Sequence, residues 1–196
     1  MKSIVKITSW LFIFAGVLLS SACIQSETDE IHVTLNNDLS GKLTIIFRKI
    51  SSDEKTIAAQ KKEMADFYTD LPKTIQELKE SGLKDPQVEL ADKTDTACGA
   101  VLKADFDNIA TILPILADND KSDFEIARTG DTFSLRMQVN GFSDDPPKMF
   151  SIKVAGEVLE HNAQNYDAES HTLQWKMGET GNRRIYLRIK THPANN

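Results

Sequence analysis

Hydrophobic and polar positions change period four times along this 196-residue chain. Ile31, Val33 and Leu35 alternate with His32, Thr34 and Asn36, the period of two that marks a half-buried strand. Asn36–Gly41 is dense in turn formers, and Lys42–Ile50 is β-branched and aromatic, so the two runs predict a hairpin. From Thr56 to Gly82 the period becomes helical: Met64, Phe67, Tyr68 and Leu71 fall on one face. Pro72 lacks an N–H and its ring clashes with the preceding turn, which predicts a break there. A second helix is then expected, with Ile75 and Leu78 inward and Gly82 as its stop. Val88–Leu90 and Ala97–Phe106 read as strands, and Asp107 as the cap of a short helix, Asn108–Ala117, kinked or ended early at Pro114. Asp123–Arg128 and Thr132–Asn140 flank Thr129-Gly130-Asp131 as a second hairpin, with Phe133, Leu135, Met137 and Val139 on one face. Phe142–Lys148 is a break, followed by strands at Met149–Ala155, Thr172–Met177 and Arg184–Lys190, with Trp175 as an apolar anchor. The pattern predicts an α+β fold: mainly antiparallel sheet, two or three short amphipathic helices, and room for an all-β C-terminal subdomain over 148–191.

The first 22 residues follow a different logic. Lys2 and Lys6 precede the apolar run Ile7–Leu19, and Ser20-Ser21-Ala22-Cys23 closes the segment. A charged start, a short apolar stretch and a small-residue exit are the three parts of a secretory signal. The apolar run reaches about 20 Å as a helix, short of a ~30 Å hydrocarbon core. Small residues followed by Cys resemble the lipobox of bacterial lipoproteins, in which the thiol of Cys23 receives palmitate-type acyl chains. The alternative is cleavage after Ala22 with Cys23 left as a free thiol. Several acyl chains make a stable anchor where one does not. Residues 23–30 then read as a polar tether carrying the lipid, and 31–196 as a single α+β domain. Ile24 after the cysteine implies, in a host with two membranes, the periplasmic face of the outer one.

Composition narrows the functional classes. The chain is 40% hydrophobic and 27% charged, which excludes low-complexity and disordered chains. A net charge of −6 argues against nucleic acid as a partner. Chemistry-bearing groups are sparse. Four histidines, at 32, 161, 171 and 192, show no metal-ligand spacing, though His161 and His171 flank one turn region and could meet. Asp118, Asp120 and Ser122 start like a calcium loop, but Asp123 stands where its glycine belongs and Thr129 where its glutamate belongs. Cys98 lies in an apolar run and reads as buried and inert. No catalytic residue, metal site or cofactor is expected.

Two stretches resemble the LppM family of bacterial lipoproteins: Val33–Leu43, and Val154-Ala155-Gly156-Glu157-Val158 followed by Asn162 and Thr172-Leu173-Gln174-Trp175. Ala155 stands where that family usually has proline. The family's C-terminal membrane helix has no counterpart here, so attachment would rest on Cys23. The resemblance implies an envelope lipoprotein with a mixed α/β domain and no established catalytic residues. The expected function is a non-enzymatic, lipid-anchored envelope protein whose domain binds a lipid, a glycan or another envelope protein. Met64, Phe67 and Tyr68 read either as ordinary core or as the candidate lining of a pocket between helix and sheet. A structural subunit of an envelope complex is the alternative, and a hydrolase with an unrecognised site the third.

Overall fold

The structure, a computed structural model, describes residues 24–116, 124–139, 149–177 and 184–191. Its framework is the predicted first hairpin, β1 (Ile24–Leu35) and β2 (Gly41–Ser52), paired antiparallel from Ile24↔Ser52 to Leu35↔Gly41. Residues 24–30 therefore are not a tether. They form the first half of β1, with Ile24, Ser26 and Thr28 buried. Strand pairing uses backbone groups, so polar side chains did not prevent it once β2 supplied a partner as far as Ser52.

The hairpin turn is tightly bonded. Asp38 Oδ1 accepts from both the Ser40 N–H (3.0 Å) and its hydroxyl (2.6 Å), and the Asn36 N–H donates to Ser40 O. Leu39 is buried with φ at 69°, a left-handed conformation rare for leucine. Its carbonyl accepts the Ile109 N–H at 2.9 Å, which ties the turn to the start of a helix.

Two further strands, β3 (Lys84–Ala91) and β4 (Ala97–Phe106), extend the sheet beyond β2. Beyond β1 come β7 (Met149–Val154), β10 (Thr172–Lys176) and β9 (Asn165–Asp167). The order is β3-β4-β2-β1-β7-β10-β9, antiparallel except for β1 beside β7. A second sheet has the order β5 (Phe124–Thr129), β6 (Thr132–Gln138), β11 (Arg184–Lys190), β8 (Glu157–His161), all antiparallel. The strands of 148–191 are thus dealt out to both sheets. The fold is α+β and mainly antiparallel sheet.

One apolar core unites these parts. The inner faces carry Ile31, Val33, Phe150, Ile152, Leu173 and Trp175 in the large sheet and Phe133, Leu135, Ile185, Leu187 and Ile189 in the small one. Trp175 is fully buried, edge-to-face with Phe150 at 6.1 Å between ring centroids. Its indole N–H donates to Asn162 Oδ1 (2.9 Å), which also accepts the Tyr186 N–H (2.7 Å), while Asn162 Nδ2 donates to Arg184 O. One side chain beside β8 thereby links the tryptophan of the large sheet to the backbone of the small one.

The two stretches singled out in the sequence meet here. The Ala155 N–H donates to Leu35 O, at the end of β1. Gly156, where the chain leaves β7 for β8, lies so close to Lys190 O that a Cβ would stand 2.4 Å from it. His171, with φ at 53°, donates from Nδ1 to Gly156 O at 2.9 Å.

Helix α1 (Ile57–Glu80) runs unbroken for 24 residues through Pro72, contrary to the predicted interruption. Its buried residues, Met64 and Phe67 before the proline and Thr74 and Leu78 after it, all enter the same interior. A break would withdraw one set, whereas Pro72 removes one bond to the Tyr68 carbonyl and turns its ring to solvent. Ile75, expected inward, is half-buried, and Thr74 takes the buried place. Gly82, at φ 99°, ends the helix as predicted: its N–H donates to Lys79 O and the Leu83 N–H to Leu78 O. Pro72→Ala is expected to stabilise the domain by about 1–3 kcal/mol, because alanine restores the helix bond at an exposed position. Urea unfolding monitored by circular dichroism checks it. Helix α2 (Ile109–Leu116) is capped by Asn108 rather than Asp107: Asn108 Oδ1 accepts the Ala110 N–H, while Asp107 is ion-paired to Lys84. Among the described residues no helix is long and apolar enough to cross a membrane.

Candidate functional site

Among the described residues, the outer face of the four-stranded sheet carries a groove that could hold a ligand. Along β6, Phe133, Leu135 and Met137 turn inward, so Thr132, Ser134 and Arg136 turn outward; on β11, Tyr186 and Arg188 do the same. The register aligns them in rows. Glu125, Arg136 and Tyr186 stand side by side, as do Ala127, Ser134 and Arg188, with Glu160 of β8 beyond. The small side chains of Ala127, Thr129, Thr132 and Ser134 on β5 and β6, with Glu125, Arg136, Tyr186 and Arg188 standing longer beside them, leave a groove of about 420 Å³ lined by these eight residues.

Its electrostatics are organised around Glu160. The Tyr186 hydroxyl donates to Glu160 Oε2 (2.5 Å), and Arg188 Nη1 donates to Oε1 (3.1 Å). The tyrosine hydrogen bond, then the arginine charge, hold the Glu160 carboxyl below its ordinary range, and the same hydrogen bond raises the Tyr186 phenol. Tyr186 therefore stays a donor to a charged carboxylate at neutral pH. The Arg136 guanidinium stacks 5.2 Å from the Tyr186 ring centroid, and its ion pair with Glu125 spans 4.0 Å. Arg136 is the more loosely held cation of the groove. With hydroxyls at Thr129, Thr132 and Ser134, the face offers donors and acceptors along a shallow trough and little apolar surface.

The residues expected to line a pocket lie elsewhere. Met64 and Phe67 are packed into the core. Tyr68 is half-buried and anchors the β3–β4 loop, its hydroxyl donating to Thr94 O (2.9 Å) and Ala97 O (3.3 Å) with Lys93 Nζ 3.9 Å from the ring centroid. Burial pushes its phenol far above the ordinary range. Burial likewise raises the thiol of Cys98, which is interior as expected. His161 accepts the Ala163 N–H and rests against Tyr166, while His171 serves Gly156, so each has separate partners. Among the described residues no group of three metal-ligating side chains gathers. Cys23, the signal segment, His192, the acidic cluster 118–123 and the break at 142–148 lie outside the described residues.

One constellation was not anticipated. On the face of the large sheet opposite Ile31 and Val33, His32 Nδ1 is 2.6 Å from Ser151 Oγ, and its Nε2 is 2.8 Å from Glu30 Oε2. Nucleophile, base and orienting acid are present in outline. Yet Ser151 is 5% exposed, midway along a strand paired on both sides. The neighbouring backbone N–H groups are engaged in ladders, which leaves no pair of donors converging where an oxyanion would form. The arrangement works as a cross-strand clamp.

Comparison with known proteins adds one finding. No family model matches the sequence, and no curated protein matches it. Among solved structures, the chain is similar to the NMR structure of the folded domain of LppM from Mycobacterium tuberculosis, at 15% identity over 88% of this chain and 92% of that one, with a TM-score of 0.46.

Proposed function

We propose that this chain is a non-enzymatic, lipid-anchored protein of the bacterial cell envelope, and that its domain binds a saccharide in the groove of the four-stranded sheet. The anchor reading is supported by the charged start, short apolar run and Ser-Ser-Ala-Cys exit of residues 1–23. The ligand reading is carried by one observation: a trough of about 420 Å³ whose lining is hydroxyl, guanidinium, phenol and carboxylate. Sugar hydroxyls both donate and accept, and such a mixed surface can satisfy them. An acyl chain would leave those same groups unpaired and find little apolar contact.

The test is titration of the full chain with saccharide fragments of a bacterial envelope, read by calorimetry and by amide shifts in β6 and β11. Each guanidinium contact is worth about 1.5–3 kcal/mol. Arg136→Ala combined with Arg188→Ala is therefore expected to weaken binding at least about tenfold. These are exposed positions, so stability should change by less than about 0.5 kcal/mol each. Saccharide shifts confined to other faces, or binding indifferent to both substitutions, would refute the assignment.

A further inference from the structure

We infer that the end of the domain where β1 begins lies directly against the lipid bilayer, with Ile57 at the head of α1 set into its interfacial layer. The inference rests on the reading that Cys23 carries acyl chains, and it concerns where the folded domain then sits.

The argument starts from the missing slack. Ile24, the residue bonded to Cys23, is already in the ladder, paired with Ser52 and 2% exposed. Gln25 follows with its side-chain amide donating to Asp53 Oδ2 at 3.3 Å. Successive Cα atoms are ~3.8 Å apart. A thioether held at headgroup depth therefore keeps the end of the sheet within roughly 10 Å of the surface.

What accompanies Ile24 to the surface is set by the pairing. Ser51 is paired with Gln25 on one side and Ala97 on the other, so β1, β2 and β4 present their ends together. The short turn 53–56 leads from Ser52 to Ile57 and is braced by the Glu54 N–H on Ser52 Oγ and by Gln60 Nε2 on Glu54 O. Two bonds clamp α1 onto this end, Ser52 Oγ to Glu63 Oε2 (2.5 Å) and Lys61 Nζ to Asp95 Oδ2 (2.8 Å). On this braced corner Ile57 is 68% exposed, the most exposed large apolar side chain among the described residues. A lone exposed isoleucine is ordinary and by itself says nothing. Its place on the corner where β1 begins names what covers it once Cys23 carries acyl chains, since an interfacial layer accepts an apolar side chain that water does not. The nearby charges, Asp53, Glu54, Asp95, Lys55 and Lys61, are mixed, so the acyl chains and Ile57 supply the attachment rather than anionic headgroups.

The test uses the native full chain, extracted from membranes in detergent and returned to phosphatidylcholine vesicles after intact mass has shown the N-terminal adduct. Ile57→Cys and, separately, Lys42→Cys carry the polarity-sensitive dye NBD; Cys98 is buried, and the unsubstituted protein should take up none. Lys42 is exposed at the far end of the hairpin, about 33 Å from Ser52 along β2. The expected result is a blue-shifted emission at position 57, severalfold quenching by lipids carrying a spin label, no change at 42, and no dependence on salt. Insertion of about twenty Gly and Ser residues between Cys23 and Ile24, a spacer of ~25 Å, should reduce the quenching severalfold. An acylated protein with an aqueous signal at 57, equal quenching at 42, or quenching that survives the spacer would overturn the inference. Absence of the adduct would overturn its premise instead, and the mass alone reveals that.

Discussion

Gly41→Ala is expected to destabilise the domain by about 3 kcal/mol or more, a large share of the ~5–15 kcal/mol that holds a domain folded. A Cβ at this position would lie 1.8 Å from the carbonyl oxygen of Thr34 and 2.7 Å from Phe106 Cζ. The phenyl ring has no room to turn, because Phe106 is fully buried, and the Thr34 carbonyl belongs to the strand paired with β2. Neither contact can be relieved by a rotamer change. Relief requires β1 and β2 to separate near their turn, where Leu35 pairs with Gly41 and the turn supports Ile109 through Leu39. Urea unfolding followed by far-UV circular dichroism measures the loss. Lys42→Ala, one residue further and exposed, serves as the control, with a change under about 0.5 kcal/mol. Equal stability of the two variants would refute the close approach.

Trp175→Ala should cost about 3–5 kcal/mol. The indole fills the space beside Phe150 and donates to Asn162, so its loss leaves both a cavity and an amide oxygen short of one partner. Trp175→Phe keeps much of the volume and should cost less. Asn162→Ala should cost about 1–3 kcal/mol, since it leaves the indole N–H and the Tyr186 N–H without their acceptor. A double-mutant cycle between the two positions is expected to show coupling of about 0.5–3 kcal/mol. Additive losses would mean that the amide does not bridge the sheets.

The candidate groove shows how far a local pattern reaches. Alternation along Thr132–Val139 places Phe133, Leu135, Met137 and Val139 inward, and they are buried. It therefore also places Thr132, Ser134 and Arg136 outward. What it could not supply is the neighbour: Arg136 faces Tyr186 only because β6 pairs with β11, nearly fifty residues away. Helical spacing likewise brought Met64, Phe67 and Tyr68 to one side of α1, but periodicity does not distinguish a packed interior from a pocket wall. The histidine at 32 lay in plain view within an alternating strand with Glu30 two residues before it on the same face, but Ser151 came to it only through the parallel pairing of β1 with β7.

Side-chain order alone was enough for the strands other than β8 and β9, which it left as turns, and for the capped end of α1 at Gly82, the interior place of Trp175 and Cys98, and the α+β class. Each of these depends on forces between near neighbours in the chain or on the burial of one face. The length of β1, the passage of α1 through Pro72, the division of the C-terminal strands between two sheets and the groove itself were settled by the assembled molecule. There the free energy comes from partners far apart in sequence. A ladder with β2 outweighs the polarity of residues 25–30, and a shared core outweighs one missing helix bond.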